Sequence, residues 1–180
     1  MRFTFCPHCG EKLIRKEIGD EGLIPYCEHC KVPLWDLFTT CVICAVVTED
    51  REIALLRQDY VSTTNYVCVA GVMKPGESAE EAAMREVNEE LGLKVEALEY
   101  VRSYPFEQKE MLMLGFRARV QKADFHLSGE VDQAQWSPWT RPRKSFGRAA
   151  SPGSWFRRLP ERKDKNAVHH CGYPGGLRVC

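Results

Sequence analysis

The chain has 180 residues, 44% of them hydrophobic, and its 25 Lys+Arg balance its 25 Asp+Glu. That length holds one ordinary domain plus a small accessory unit, and that apolar content excludes wholesale disorder. The neutral total conceals a split: residues 137–180 carry ten basic and two acidic side chains, leaving 15 and 23 for residues 1–136. An acidic body of this kind argues against general nucleic-acid binding. The opening residues, Met1-Arg2-Phe3-Thr4-Phe5-Cys6, contain no apolar run long enough for a signal peptide or a membrane span. A cytoplasmic protein is expected, where paired cysteines bind metal more often than they form disulfides.

Residues 1–36 are short and turn-rich, with no helical or strand period long enough to build a core. They carry Cys6-Pro7-His8-Cys9 and, seventeen residues later, Cys27-Glu28-His29-Cys30. Two residues between cysteines let one tight turn aim both thiolates at a single ion, and two such knuckles complete a closed, structural S4 shell for Zn2+. Gly10 follows the first knuckle, where a turn needs positive φ. A unit this small cannot stabilise itself by burial, so zinc binding is expected to supply its folding free energy. His8 and His29 read as exposed loop residues rather than ligands.

From residue 37 the texture changes. Cys41 to Val47 is a β-rich buried run, Glu49-Asp50-Arg51 a polar turn, and Glu52 to Arg57 the returning strand. Tyr66 to Ala70 is a third strand. A helix runs from about Glu80 to Leu91, followed by strands near Val95–Val101, Met111–Val120 and Gln133–Trp136. Helix within a mostly β context predicts a mixed α/β domain over residues 37–136. Cys41, Cys44 and Cys68 sit inside apolar strands, where strand geometry splays Cys41 from Cys44, and they read as packing thiols.

The chemistry concentrates in Gly71 to Leu93. Ser78 and Glu81 form a capping box, Ala79, Ala83, Val87 and Leu91 give the helix an apolar face, and Gly92 stops it. Glu86, Glu89 and Glu90, spaced by three and four, bring carboxylates together on another face. Arg85 stands four residues before Glu89 and orients it, and Glu77 arrives from the preceding loop. Clustered carboxylates repel, and a hard divalent cation with oxygen ligands, Mg2+ or Mn2+, offsets that repulsion. Such a cation neutralises phosphate oxygens and lowers the pKa of an attacking water, while a remaining glutamate takes the proton.

The stretch resembles the Nudix box, G-x5-E-x7-R-E-U-x-E-E-x-G-U with U aliphatic, at Gly71, Glu77, Arg85, Glu86, Val87, Glu89, Glu90, Gly92 and Leu93. The resemblance implies an α/β/α sandwich and hydrolysis of a pyrophosphate bond in a nucleoside diphosphate derivative. It implies Glu86, Glu89 and Glu90 as ligands of Mg2+ or Mn2+, Glu89 also as base, and Arg85 as their orienting partner. Glu130, in the Ser128–Trp136 segment, sits where a further acidic ligand comes in this family.

A zinc ribbon ahead of such a domain resembles the NADH pyrophosphatase branch, which makes NADH, NAD or a related dinucleotide the expected substrate. That branch carries S-Q-P-W-P-F-P-x-S followed by L-M-L-G-F. Here Ser103-Tyr104-Pro105-Phe106 keeps only part of the first element, and Leu112-Met113-Leu114-Gly115-Phe116 keeps the second. Tyr104 and Phe106 are the residues expected to stack on a base. The main competing reading is a nucleotide sensor that uses the ribbon to recruit protein or nucleic acid, against which the intact glutamate set argues. A weaker one is an RNA-directed enzyme that removes a terminal pyrophosphate or a dinucleotide cap, which the acidic body disfavours.

Residues 137–180 lose all periodicity and have the basic, Pro-rich texture of sequence translated out of frame. They are expected to be irregular. Because strands such as Cys41–Val47 need cover on both faces, an open apolar patch beside the sheet is then expected, favouring association as a homodimer.

Overall fold

A computed structural model describes residues 3–60 and 63–139. The N-terminal unit is a three-stranded antiparallel sheet of β1 (Ile14–Glu17), β2 (Leu23–Cys27) and β3 (Val32–Pro33), in that order. These strands have no apolar alternation for a sequence to show; β1 is exposed along its whole length. What places them is the pair of knuckles that flank them, with Gly10 at φ 76° closing the first turn.

The larger sheet has six strands: β4 (Thr39–Val47), β5 (Glu52–Arg57), β6 (Val69–Val72), β7 (Val95–Phe106), β8 (Met111–Val120) and β9 (Gln133–Pro138). Its order is β7-β8-β4-β5-β9, with β6 also paired to β4. The β4–β8 pair is parallel and the others antiparallel, so the sheet is mixed. β4 is apolar from Cys41 to Val47 because it is central there and both faces are packed. Val42, Cys44 and Val46 join one cluster with Ala82, Ala83, Val87 and Leu91 of α1 (Ala79–Leu91), and with Phe116, Ala118 and Val120 of β8. Ile43, Ala45 and Val47 join another on the opposite face with Ile53, Leu55 and Cys68. Cys41 and Cys44, three residues apart on one strand, therefore point to opposite faces, and with Cys68 they are buried free thiols, as expected.

Three boundaries differ from the sequence expectation. The third strand starts later, at Val69, because the register with β4 pairs Cys44 with Val69 and Cys41 with Val72; Val67 keeps only an isolated bridge to Leu56. β7 runs five residues past Val101 to Phe106, carried through by register shifts near Ala97 and between Tyr100 and Arg102. Such bulges break the period-two alternation that would reveal a long strand. β9 continues through Ser137 and Pro138, which pair with Ile53 and Glu52, so the irregular segment expected from residue 137 begins no earlier than Trp139. Pro is tolerated at the end of this edge strand.

α1 covers one face of the sheet, and among the described residues it is the α-helix of the fold. Its start is the expected capping box: Ser78 Oγ accepts from the Glu81 N–H at 3.2 Å, and Glu81 Oε2 accepts from the Ser78 N–H at 2.7 Å. Gly92 ends it in the left-handed region, its N–H donating to Asn88 O at 2.8 Å. On the other face the cluster residues Ile43, Ala45, Val47, Ile53, Leu55 and Cys68 are buried, with Tyr66, Ala70, Tyr104, Met113 and Trp139 packed on them. The open apolar patch expected there is not found at these residues. The rest of the tail expected to be irregular, from Thr140 onward, lies outside the described residues. No described helix is long and apolar enough to cross a membrane.

Candidate functional site

The four knuckle cysteines converge. Among the described residues, Cys6, Cys9, Cys27 and Cys30 form a group whose ligand atoms all lie within 4.8 Å of one another. The Sγ–Sγ separations are 3.9 Å for Cys6–Cys30 and 3.5 Å for Cys9–Cys27. A tetrahedral S4 shell at ~2.3 Å per bond sets such edges at roughly 3.8 Å, so the geometry fits a zinc ion. Burial works against ionisation of Cys6, yet the backbone N–H groups of His8 and Cys9 bring its thiol down to about 6. Contact with Cys9, then burial, pushes Cys30 up to about 12. The Cys30 N–H also points at Cys27 Sγ, 3.3 Å away. His8 and His29 are exposed and not part of the four-sulfur group, although His29 Nδ1 lies 3.8 Å from Cys30 Sγ.

The second constellation is on α1. Glu86 and Glu90 are buried, 9% and 4% exposed, at the edge of the helix face that meets the sheet, while the Glu89 side chain is half exposed. β6 delivers Gly71 directly beneath Glu86: a Cβ on Gly71 would lie 1.9 Å from the Glu86 carboxyl. Hydrogen is therefore the only side chain here that leaves this carboxylate in place. The role of the first glycine of the motif is a close approach, not a turn.

Arg85 gathers three glutamates. Its Nε and Nη2 donate to Glu77 Oε2 and Oε1 at 3.0 and 2.7 Å, and its Nη1 donates to Glu86 Oε1 at 2.7 Å and Glu89 Oε2 at 3.0 Å. The spacing to Glu89 was legible in the sequence; the fork onto Glu77 depends on the loop, where Gly76 at φ 89° turns the chain and the Lys74 N–H donates to Glu77 Oε1. The Arg85 fork, then the Lys74 backbone, hold the Glu77 carboxyl down to about 2. A depressed carboxylate contributes stability that is complete above its ordinary value near 4.5 and is lost as pH falls through about 2. Between pH 5 and pH 2, Glu77→Gln is therefore expected to lose less stability than the parent chain. Urea melts across that range check this, and parallel curves would contradict it.

Glu90 behaves oppositely. Burial first, and then the Glu86 charge, raise its carboxyl to about 7, partly offset by the amide of Gln58 and the nearby backbone of Ala70. Gln58 Nε2 donates to Glu90 Oε1 at 2.8 Å, whereas Oε2 is buried and completes no hydrogen bond. A buried carboxylate oxygen left without a partner is costly unless a cation or proton meets it, so the site has the character of a cation-binding one. No carboxylate trio among the described residues closes as tightly as the cysteines do; Arg85 holds Glu86 and Glu89 toward itself.

Glu130 is exposed in the loop before β9 and lines an open cleft of about 470 Å³ with Asp59, Tyr60, Gly129 and Asp132. That loop is tied to the end of β5: the Asp132 N–H donates to Arg57 O at 3.0 Å, and the Asp59 N–H donates to Asp132 Oδ2 at 2.6 Å. Tyr60 and Glu130 share this cleft, and the charge of Glu130 is among the causes that raise the Glu90 carboxyl, after burial and Glu86. Tyr104 and Phe106 are not brought to this cleft. Tyr104 packs into the cluster on the sheet face away from α1, with the Arg102 guanidinium 5.1 Å from its ring centroid, and Lys109 Nζ is 5.9 Å from the Phe106 ring centroid. The aromatic lining the cleft is Tyr60, and nothing local in the sequence marks it.

A mixed sheet that delivers a glycine strand and a tight loop into a glutamate-lined helix defines the class to which the motif points. The chain belongs to the Nudix family: the family model described as the NUDIX domain matches residues 37–159. It is 32% identical over 138 residues to the NAD-capped RNA hydrolase NudC of Edwardsiella ictaluri, covering 76% of this chain and 52% of that protein. It is 34% identical over 133 residues to the protein of that name from Pseudomonas putida, covering 73% and 47%. The chain thus spans about half the length of these curated relatives. Among solved structures, a NUDIX hydrolase from Nitrosomonas europaea superposes with a TM-score of 0.60 at 20% identity, covering 76% of this chain and 78% of that one. A MutT/nudix family protein from Enterococcus faecalis superposes with a TM-score of 0.54 at 14% identity, covering 58% and 45%. At such identities these two speak for the fold alone.

Proposed function

We propose that this chain hydrolyses the pyrophosphate bond of a nucleoside diphosphate derivative of the dinucleotide type, NADH or NAD, with Mg2+ or Mn2+ held by Glu86, Glu89, Glu90 and Glu130. The observation that carries it is the buried Glu86–Glu90 pair with an unsatisfied Oε2, set beside a half-exposed Glu89 and clamped by Arg85. The bound cation supplies charge neutralisation at the phosphate oxygens and acidifies water. Glu89, the glutamate of the three that reaches solvent, takes the proton of the attacking water. Arg85 keeps Glu89 and Glu86 aimed at a common point. Water oxygen bonds to one phosphorus as the bridging P–O bond breaks, and two monophosphates leave. The cleft lined by Tyr60 and Glu130 receives the remainder of the substrate. Zn2+ on Cys6, Cys9, Cys27 and Cys30 is structural, and we place the boundary between ribbon and Nudix domain at residues 36–37.

The name of the relatives supports a substrate that the acidic body argued against, an RNA carrying an NAD cap. The test is a panel of NADH, NAD, other nucleoside diphosphate derivatives and NAD-capped RNA, with Mg2+ or Mn2+, read by released mononucleotide. Release from NADH or NAD with divalent-cation dependence is expected; no release from any member would sink the proposal. Gly71→Ala is expected to displace the Glu86 carboxylate and lower turnover roughly 10- to 100-fold with the fold intact. Far-UV circular dichroism alongside the rate measurement checks it, and an unimpaired rate would show that Glu86 is dispensable.

A further inference from the structure

We propose that Gln58 is a positioning residue for the hydrolytic site: it fixes the Glu90 carboxylate so that Oε2 is the oxygen presented to the divalent cation, an inference that rests on the metal-dependent reading above. Gln58 follows the last residue of β5 and is only 6% exposed, although it lies outside the glutamate motif and 32 residues before Glu90 in the chain. Burying a primary amide is costly unless its groups are bonded, and Gln58 Nε2 donates to Glu90 Oε1 at 2.8 Å. A neutral amide suits this position. It stabilises the ionised carboxylate without adding charge to a site where Glu86 and Glu130 already oppose that ionisation. With Oε1 engaged, rotation of the carboxylate is fixed. The oxygen left over, Oε2, is buried without a hydrogen bond, on a residue one helical turn from the buried Glu86. Outer partners of metal-binding carboxylates work in this way.

The experiment is a Mn2+ titration of the zinc-loaded full chain without substrate, free Mn2+ being read by electron paramagnetic resonance. Gln58→Met keeps the length and removes the donor. It is expected to weaken Mn2+ binding roughly 10- to 100-fold while the circular dichroism spectrum stays that of the parent. In a Glu90→Gln background the same change is expected to add nothing, because Gln58 acts through Glu90. Unchanged Mn2+ affinity in Gln58→Met overturns the inference, and so does equal weakening in both backgrounds, the mark of a merely structural role. Should Gln58→Met not fold, Gln58→Asn, polar but a methylene too short to reach Glu90, is read with the same two outcomes. A parent chain that takes up no Mn2+ overturns the functional reading as well; a parent that binds while Gln58→Met is unchanged overturns this inference alone.

Discussion

Glu89→Gln is expected to lower turnover by about 10²–10⁴-fold, the range for loss of a general base, while leaving the melting temperature nearly unchanged. The two effects separate because of where the side chain sits. Glu89 is half exposed, and its contacts are the Arg85 Nη1 pair at 3.0 Å and a looser approach of Lys74 at 3.7 Å. Exposed ion pairs contribute about 0–1 kcal/mol to stability, and Gln keeps the size and helix propensity of Glu. The kinetic loss corresponds to about 2.7–5.5 kcal/mol of barrier, so rate must fall far more than stability. Steady-state rates at saturating Mg2+ together with thermal melts decide it. Near-parental hydrolysis would move the base elsewhere among the glutamates and revive the nucleotide-sensor reading.

Cys27→Ser is expected to empty the N-terminal unit of zinc and unfold it. Among its described residues only Cys6, Tyr26 and Cys27 are buried hydrophobics, and two of these are proposed ligands. Burial of a large side chain contributes about 1.5–3 kcal/mol, whereas ordering each residue costs about 1–2 kcal/mol, so this unit cannot order itself by burial. A structural zinc site contributes about 10–16 kcal/mol, and that is the term the substitution removes. Elemental analysis should fall from one zinc per chain to none, and the amides of Ile14–Cys27 should lose protection from hydrogen exchange. Retained zinc with retained protection in the variant, or no zinc in the parent, would show that something else orders the ribbon.

The outcome of each experiment depends on features of two kinds. Local residue patterns set whatever short-range geometry controls. A C-x2-C pair on a turn aims two sulfurs at a point, unlike Cys41 and Cys44 inside an apolar strand, and two turns suffice for four. Ser78, Glu81 and Gly92 set the ends of α1, and Arg85 reaches Glu89 because residues four apart on a helix are neighbours. Strands β4, β5 and β8 were legible because their apolar runs are local and strong. Register, in contrast, is settled by how the strands pair in the folded chain. Which residue of β6 lies under Glu86, and so why Gly71 has no side chain, follows from the pairing of Val42 with Gly71. That Tyr104 faces away from α1 follows from its pairing with Met113, and through Met113 with Cys41. Gln58 beside Glu90, and Glu130 in one cleft with Tyr60, join residues far apart in the chain across β5 and the loop before β9. The residue types alone do not encode such contacts, because a one-residue slip in strand pairing would send the same side chains to the opposite face.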